Sequence, residues 1–134
     1  MYQVFLSAFR ADRDIDTNTM LSCELATILV QQGYTPEVCI GFYPENGGQT
    51  VTFEQSYSVR VQTWDEVVKL AAMVGGAYQQ ECVLAVNVVA RMAASYVYLD
   101  GKEEPQGYFR SRTDVPDGAR SQWRGSWWVI SEEA

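Results

Sequence analysis

Val51-Thr52-Phe53-Glu54-Gln55-Ser56-Tyr57-Ser58-Val59-Arg60-Val61 is the most regular stretch of the chain, and it predicts a long strand. Val51, Phe53, Tyr57, Val59 and Val61 fall on one face; Thr52, Glu54, Ser56, Ser58 and Arg60 fall on the other. Directly after it, Thr63 and Glu66 form a capping box that opens a helix. Val67, Leu70, Ala71 and Val74 give that helix a buried face, and Gly75-Gly76 weaken its end. Directly before it, Pro44, Asn46, Gly47 and Gly48 predict a turn, with a partner strand from Glu37 to Tyr43.

Further out, residues 2–10 predict another strand. Tyr2, Val4, Leu6 and Ala8 lie on one side, Phe5 and Phe9 on the other. Apolar residues on both faces mark a strand covered on two sides. The polar run from Ala11 to Thr19 reads as a loop leading to a cap. Leu21, Leu25, Ile28 and Leu29 then make a helical face, stopped at Gly33. Cys82 to Val89 and Ser95 to Leu99 predict strands, and Asp100-Gly101 ends the second. Residues 102–125 read as loop-rich, and Trp127 to Ile130 as a last strand.

The order is β-α-β-β-α-β with extra C-terminal strands. It predicts an α+β fold: a ferredoxin-like α/β sandwich, one domain over residues 1–134, with two helices on one face of an antiparallel sheet. Four Trp, eight Tyr and five Phe are many for a half-exposed sheet. Either an oligomer or a C-terminal segment folded over the sheet would cover them.

The charge balance, 17 acids to 10 bases for a net of -7, argues against a nucleic-acid groove. The late cluster Arg110, Arg112, Arg120 and Arg124 reads as a solvated loop. No apolar run reaches the roughly 20 residues of a membrane helix, and no signal peptide is expected. Cys23, Cys39 and Cys82 match no metal or disulfide spacing and sit in apolar contexts. Buried free thiols and a reducing compartment are expected. There is no histidine. That excludes Ser-His and Cys-His nucleophiles and every His-based metal site, so catalysis must run on carboxylates, tyrosine, lysine, backbone dipoles or shape.

Several segments, in order, resemble the bacteriophage enzymes that degrade S-adenosylmethionine (SAM). They are Ser7-Ala8-Phe9-Arg10 at the end of the first strand, Gly41-Phe42-Tyr43, and Glu54 ahead of Val59-Arg60-Val61. Glu81-Cys82-Val83-Leu84, Val97-Tyr98 before Gly101, and Val115-Pro116 before Gly118-Ala119 continue the match. The resemblance implies a SAM lyase acting in the host cytoplasm, a homotrimer akin to PII-like proteins with sites at subunit interfaces. It implies SAM as substrate and no cofactor. SAM depletion would then counter host restriction.

On that resemblance, Glu54 is expected to bind the substrate ammonium or sulfonium, and Tyr43 to lie over the sulfonium or close the site. Phe9 is expected to stack on adenine, Ser7 to bond ribose or carboxylate, and Arg10 to contact the carboxylate or pair with Asp12 or Asp14. Asn46-Gly47-Gly48 reads as a lid or a plain turn, and Trp123, Trp127 and Trp128 as core or interface anchors. Two alternatives stay open: a SAM hydrolase with Glu54 as base, and a non-enzymatic nucleotide-binding or inhibitory trimer.

Overall fold

The computed structural model describes residues 1–133; residue 134, the last of the expected single domain, lies outside them. The elements are β1 (Tyr2–Ser7), α1 (Ile15–Gln31), β2 (Glu37–Glu45), a short 3-10 turn (Asn46–Gly48) and β3 (Thr50–Val61). They continue with α2 (Trp64–Tyr78), β4 (Cys82–Asn87), β5 (Ala93–Tyr98), β6 (Glu103–Arg112), β7 (Arg120–Trp123) and β8 (Ser126–Ser131).

The sheet is closed. Its strands run β1-β3-β2-β7-β8-β6-β5-β4 and return to β1, antiparallel throughout. The expected ferredoxin-like, PII-like sandwich is therefore corrected to an eight-stranded antiparallel barrel with two helices outside it. The reason lies in residues 102–125. They are not loop-rich: β6 pairs with β5 and β8, and β7 bridges β8 to β2. These strands supply the missing wall, so the sheet folds on itself.

Closure gives the protein two cores. In β1 and β3, Val4, Leu6, Tyr57, Val59 and Val61 point outward and pack under Leu25 and Leu29 of α1 and Val67, Leu70 and Val74 of α2. Phe5, Cys39, Val86, Phe109 and Trp123 point inward and fill one end of the barrel. The aromatic excess in the sequence is thus resolved within one chain. Phe109 and Trp128 stack at 4.9 Å, and Phe5 meets Trp123 edge-on at 5.0 Å. A polar chain ties this end together: Arg60 Nε donates to Gln3 Oε1 (2.7 Å), Gln3 Nε2 to Ser58 Oγ (3.0 Å), and Trp123 Nε1 to the same Ser58 Oγ (2.8 Å).

Three local readings also change. Helix α1 begins at Ile15, inside the run expected to be loop, because the Asp14 carboxylate accepts from Thr17 N and caps it. Val51 and Phe53 share the apolar face of β3 but are exposed, since the β2–β3 hairpin runs past the helix layer. Cys23 is on the surface, not buried; all three cysteines are free thiols. Thr63 caps α2 as its box predicts, accepting from Glu66 N.

Candidate functional site

The other end of the barrel is hollow. A cavity of about 850 Å³ opens there, and Ser7, Phe9, Arg10, Tyr43 and Glu54 all line it. The five residues named from sequence thus meet in one place, although they come from β1, the loop after it, β2 and β3.

Their local chemistry differs from one to the next. Glu54 pairs in register with Gly41, so both face inward. Burial raises the Glu54 pKa above the usual carboxylate range, and the nearby Ser7 hydroxyl only partly offsets this. Ser7 itself is already occupied: its hydroxyl donates to Gln55 O (2.7 Å) and accepts from Phe9 N (3.0 Å). It fixes the exit of β1 beside Glu54. Phe9 is buried against Phe53 at 6.2 Å. Arg10 takes the Asp12 carboxylate with Nε (2.8 Å) and Nη2 (2.9 Å), and Nη1 donates to Gln79 O. Asn18 clamps the Arg10 backbone from α1, at 3.0 Å on both its N–H and its carbonyl. Of the two pairings the sequence offered Arg10, the structure shows the ion pair with Asp12.

Tyr43 folds back over Gly41. A Cβ placed on residue 41 would lie 2.7 Å from Tyr43 Oη. One side of the tyrosine is open to solvent, while its hydroxyl is tucked inside, where burial and then the Glu54 charge push its pKa well above the ordinary phenol value. We expect Gly41→Ala to fold but to swing Tyr43 out of the cavity. Substrate turnover should then fall at least tenfold while the urea midpoint shifts little; unchanged turnover would show that the Tyr43 placement is irrelevant.

Sequence reasoning missed the opposite wall. Cys82, Leu84, Tyr96 and Tyr98 line it, and Gly41 makes room for the near wall. The signal was present: Tyr96 and Tyr98 alternate along β5 and pair with Leu84 and Cys82. Burial, with Glu81, Glu54 and Glu104 adding their charge, pushes the Cys82 thiol up to about 11. It is an unreactive thiol. Burial also raises Tyr96 above the ordinary phenol range, with Cys82, Glu104 and Glu54 adding to the effect.

The cavity is an acidic and aromatic cup, shaped for a cation. Two bases line it among the described residues. Arg10 is spent on Asp12. The Arg120 guanidinium lies over the rings of Phe42 (5.6 Å) and Trp127 (5.7 Å). Phe42 is its register partner on β2, on the face opposite Gly41 and Ser121. Arg10 thus already has its carboxylate, and Arg120 packs on the ring face of β2 that lies opposite Gly41.

The S-adenosylmethionine lyase family model matches residues 4–131 of the chain. No curated protein matches it.

Proposed function

The chain belongs to the S-adenosylmethionine lyase family, an enzyme family that cleaves SAM, and from that premise we propose that the barrel cup converts SAM to 5'-methylthioadenosine and L-homoserine lactone. The observation that carries this reading is the cup itself: acids and aromatic rings for the substrate's two cations, with Arg10 already paired to Asp12 and Arg120 packed on the rings of Phe42 and Trp127.

The reaction needs no proton transfer. A carboxylate oxygen of SAM attacks its own γ-carbon, the γ-carbon–sulfur bond breaks, and the electron pair leaves on sulfur as a neutral thioether. A carboxylate paired to arginine would be a poorer nucleophile, so a cup whose Arg10 already holds Asp12 suits the chemistry. Holding oxygen behind carbon supplies up to about 7–11 kcal/mol in the best intramolecular cases.

Charge decides what Glu54 should hold. The sulfonium loses its charge on the way to products, so an anion pinned to it would stabilise the ground state more than the transition state. The ammonium keeps its charge throughout. Glu54 therefore anchors the ammonium, and Tyr43 with the Tyr96 wall surrounds the sulfonium, where a ring face is a milder partner than an anion. Phe9 at the rim takes the adenine edge, and Ser7 and Arg10 act by holding the rim in place.

The sequence resemblance supports a homotrimer with sites at subunit boundaries, action in the host cytoplasm, and a phage role in depleting host SAM. The rim fits such an assembly: Tyr43, Val51 and Phe53 are exposed around the mouth.

Proton NMR of SAM with purified enzyme, followed from the first minutes, tests the reaction. Methylthioadenosine with early homoserine lactone is expected. Homoserine appearing first, with no lactone, would sink the lyase route and make Glu54 a hydrolytic base. The pH profile tests the anchor. Burial raises the Glu54 pKa, and the anchor works only when ionised. So kcat/KM should fall as pH drops through an inflection above the ordinary carboxylate range, and Glu54→Gln should lack that limb. A flat wild-type profile down to the usual carboxylate range would contradict it.

A further inference from the structure

Strand β1 ends at Ser7, yet the chain stays buried for two more residues: Ala8 is 0% and Phe9 7% exposed. The ladders on its two sides have already stopped, at Ser7 with Ser56 of β3 and at Phe5 with Leu84 of β4. Buried backbone groups need partners, and here side chains supply them. Arg13 Nη1 donates to Ala8 O (3.0 Å), Gln80 Nε2 to Phe9 O (2.8 Å) and Asn18 Nδ2 to Arg10 O (3.0 Å), while Asn18 Oδ1 accepts from Arg10 N (3.0 Å). The same segment reaches the end of α2. Arg13 Nη2 donates to Tyr78 O (3.0 Å), and Arg10 Nη1 donates to Gln79 O. Helix α2 has no base in its own last turn, so these two guanidiniums meet the partial negative charge of its carbonyl end. Residues 8–10 are thereby tied to the start of α1 and to the end of α2 at once.

We propose that Arg13 and Asn18 are positioning residues for the reaction, which set Phe9 and Arg10 in place at the rim before substrate arrives. The proposal rests on the reading above, in which Phe9 takes the adenine edge. Phe9 and Arg10 line the cup, and neither Arg13 nor Asn18 is among the described residues that do. The two therefore act through the rim and not on the reacting atoms. Asn18 is 6% exposed and spends both ends of its amide on the backbone of Arg10. An apolar side chain would serve helix packing at that position; an amide matches an N–H and a carbonyl together. Adenine is unchanged by the reaction. Losing the placement of Phe9 therefore weakens the ground state and the transition state alike, which raises KM and spares kcat.

The test is steady-state kinetics of SAM cleavage, with urea unfolding to record stability. Arg13→Met keeps the aliphatic stem and loses the fork of donors, so it should raise KM about tenfold at unchanged kcat. Arg13→Lys keeps one cationic donor group and should fall between Arg13→Met and wild type. Asn18→Ala should raise KM likewise, and in hydrogen exchange it should speed the Arg10 amide. Ser22→Ala removes another buried hydrogen bond of α1, the one to Tyr57 Oη (3.2 Å), and should leave KM at the wild-type value. If Asn18→Ala fails to fold, Arg13→Met decides, at a half-buried position. A wild-type KM in Arg13→Met would overturn the proposal and leave the lyase reading standing. A KM raised equally by Ser22→Ala would overturn it too, since general loosening would then suffice. Wild-type protein that leaves SAM intact would overturn the lyase reading and this proposal with it.

Discussion

Glu54→Gln is expected to lower kcat/KM for SAM at neutral pH by about a hundredfold or more, the scale on which one preorganised electrostatic contact acts in a water-poor site. The amide keeps the shape and loses the charge that fixes the ammonium. The same change should not weaken the fold, and this makes the result diagnostic. Burial raises the folded-state pKa of Glu54 above its unfolded value. Its ionised form therefore opposes folding once the pH exceeds the folded pKa, and the penalty disappears below the unfolded pKa. At pH 7 the Gln variant should melt at or above the wild-type temperature, with the gap closing as the pH is lowered. Lost activity with equal or higher stability identifies a residue kept for function. Lost activity with a lower melting temperature at pH 7 would mean that Glu54 is structural.

Trp123→Ala should unfold the protein, or nearly so. Trp123 is 3% exposed and packs on Phe5 at 5.0 Å, Trp128 at 5.2 Å and Phe109 at 6.1 Å. Its carbonyl also accepts from Trp128 Nε1 (3.0 Å). Truncating such a ring costs about 3–5 kcal/mol, and losing the hydrogen bond from Nε1 to Ser58 Oγ adds about 1 kcal/mol more. Against a total stability of roughly 5–15 kcal/mol, that is most of what holds a small domain folded. Trp123→Phe keeps the packing and gives up the Nε1 hydrogen bond, so it should lose only a fraction of that. Urea unfolding followed by far-UV circular dichroism separates the two. A shift under about 1 kcal/mol for the alanine variant would mean that β7 does not close the barrel onto β2.

What could be read from sequence followed from local regularity. The alternation in β3 and β1 and the Thr63–Glu66 box predict elements that the structure contains, because each signal depends on residues a few positions apart. Closure depends on pairings between distant residues, Cys39 with Trp123 and Phe42 with Arg120. It also depends on β6, which hides its identity. Pro105, Gly107 and a register shift at Ala94/Ser95 interrupt its pattern. Gly107, at φ +120, passes so close to the Ser131 carbonyl that any side chain there would overlap it. Such a strand reads as loop in one dimension and as a tight crossing in three. The candidate site divides in the same way. Glu54, Tyr43, Gly41 and Cys82 stand in segments that resemble the family, whereas Tyr96 lies outside them and joins the site only through where the barrel places it.

The barrel's last seam also orders events in time. Strand β1 is flanked by β3 and β4, so its neighbours are complete once residue 87 has been made. The seam between β2 and β7 waits for residues 120–123. A nascent chain still lacking them carries Glu54, Tyr43 and the Tyr96 wall on a sheet still open between β2 and β6. Pairings this distant in sequence form slowly. On the ribosome, the substrate-binding cup therefore comes into being only as synthesis reaches the final strands.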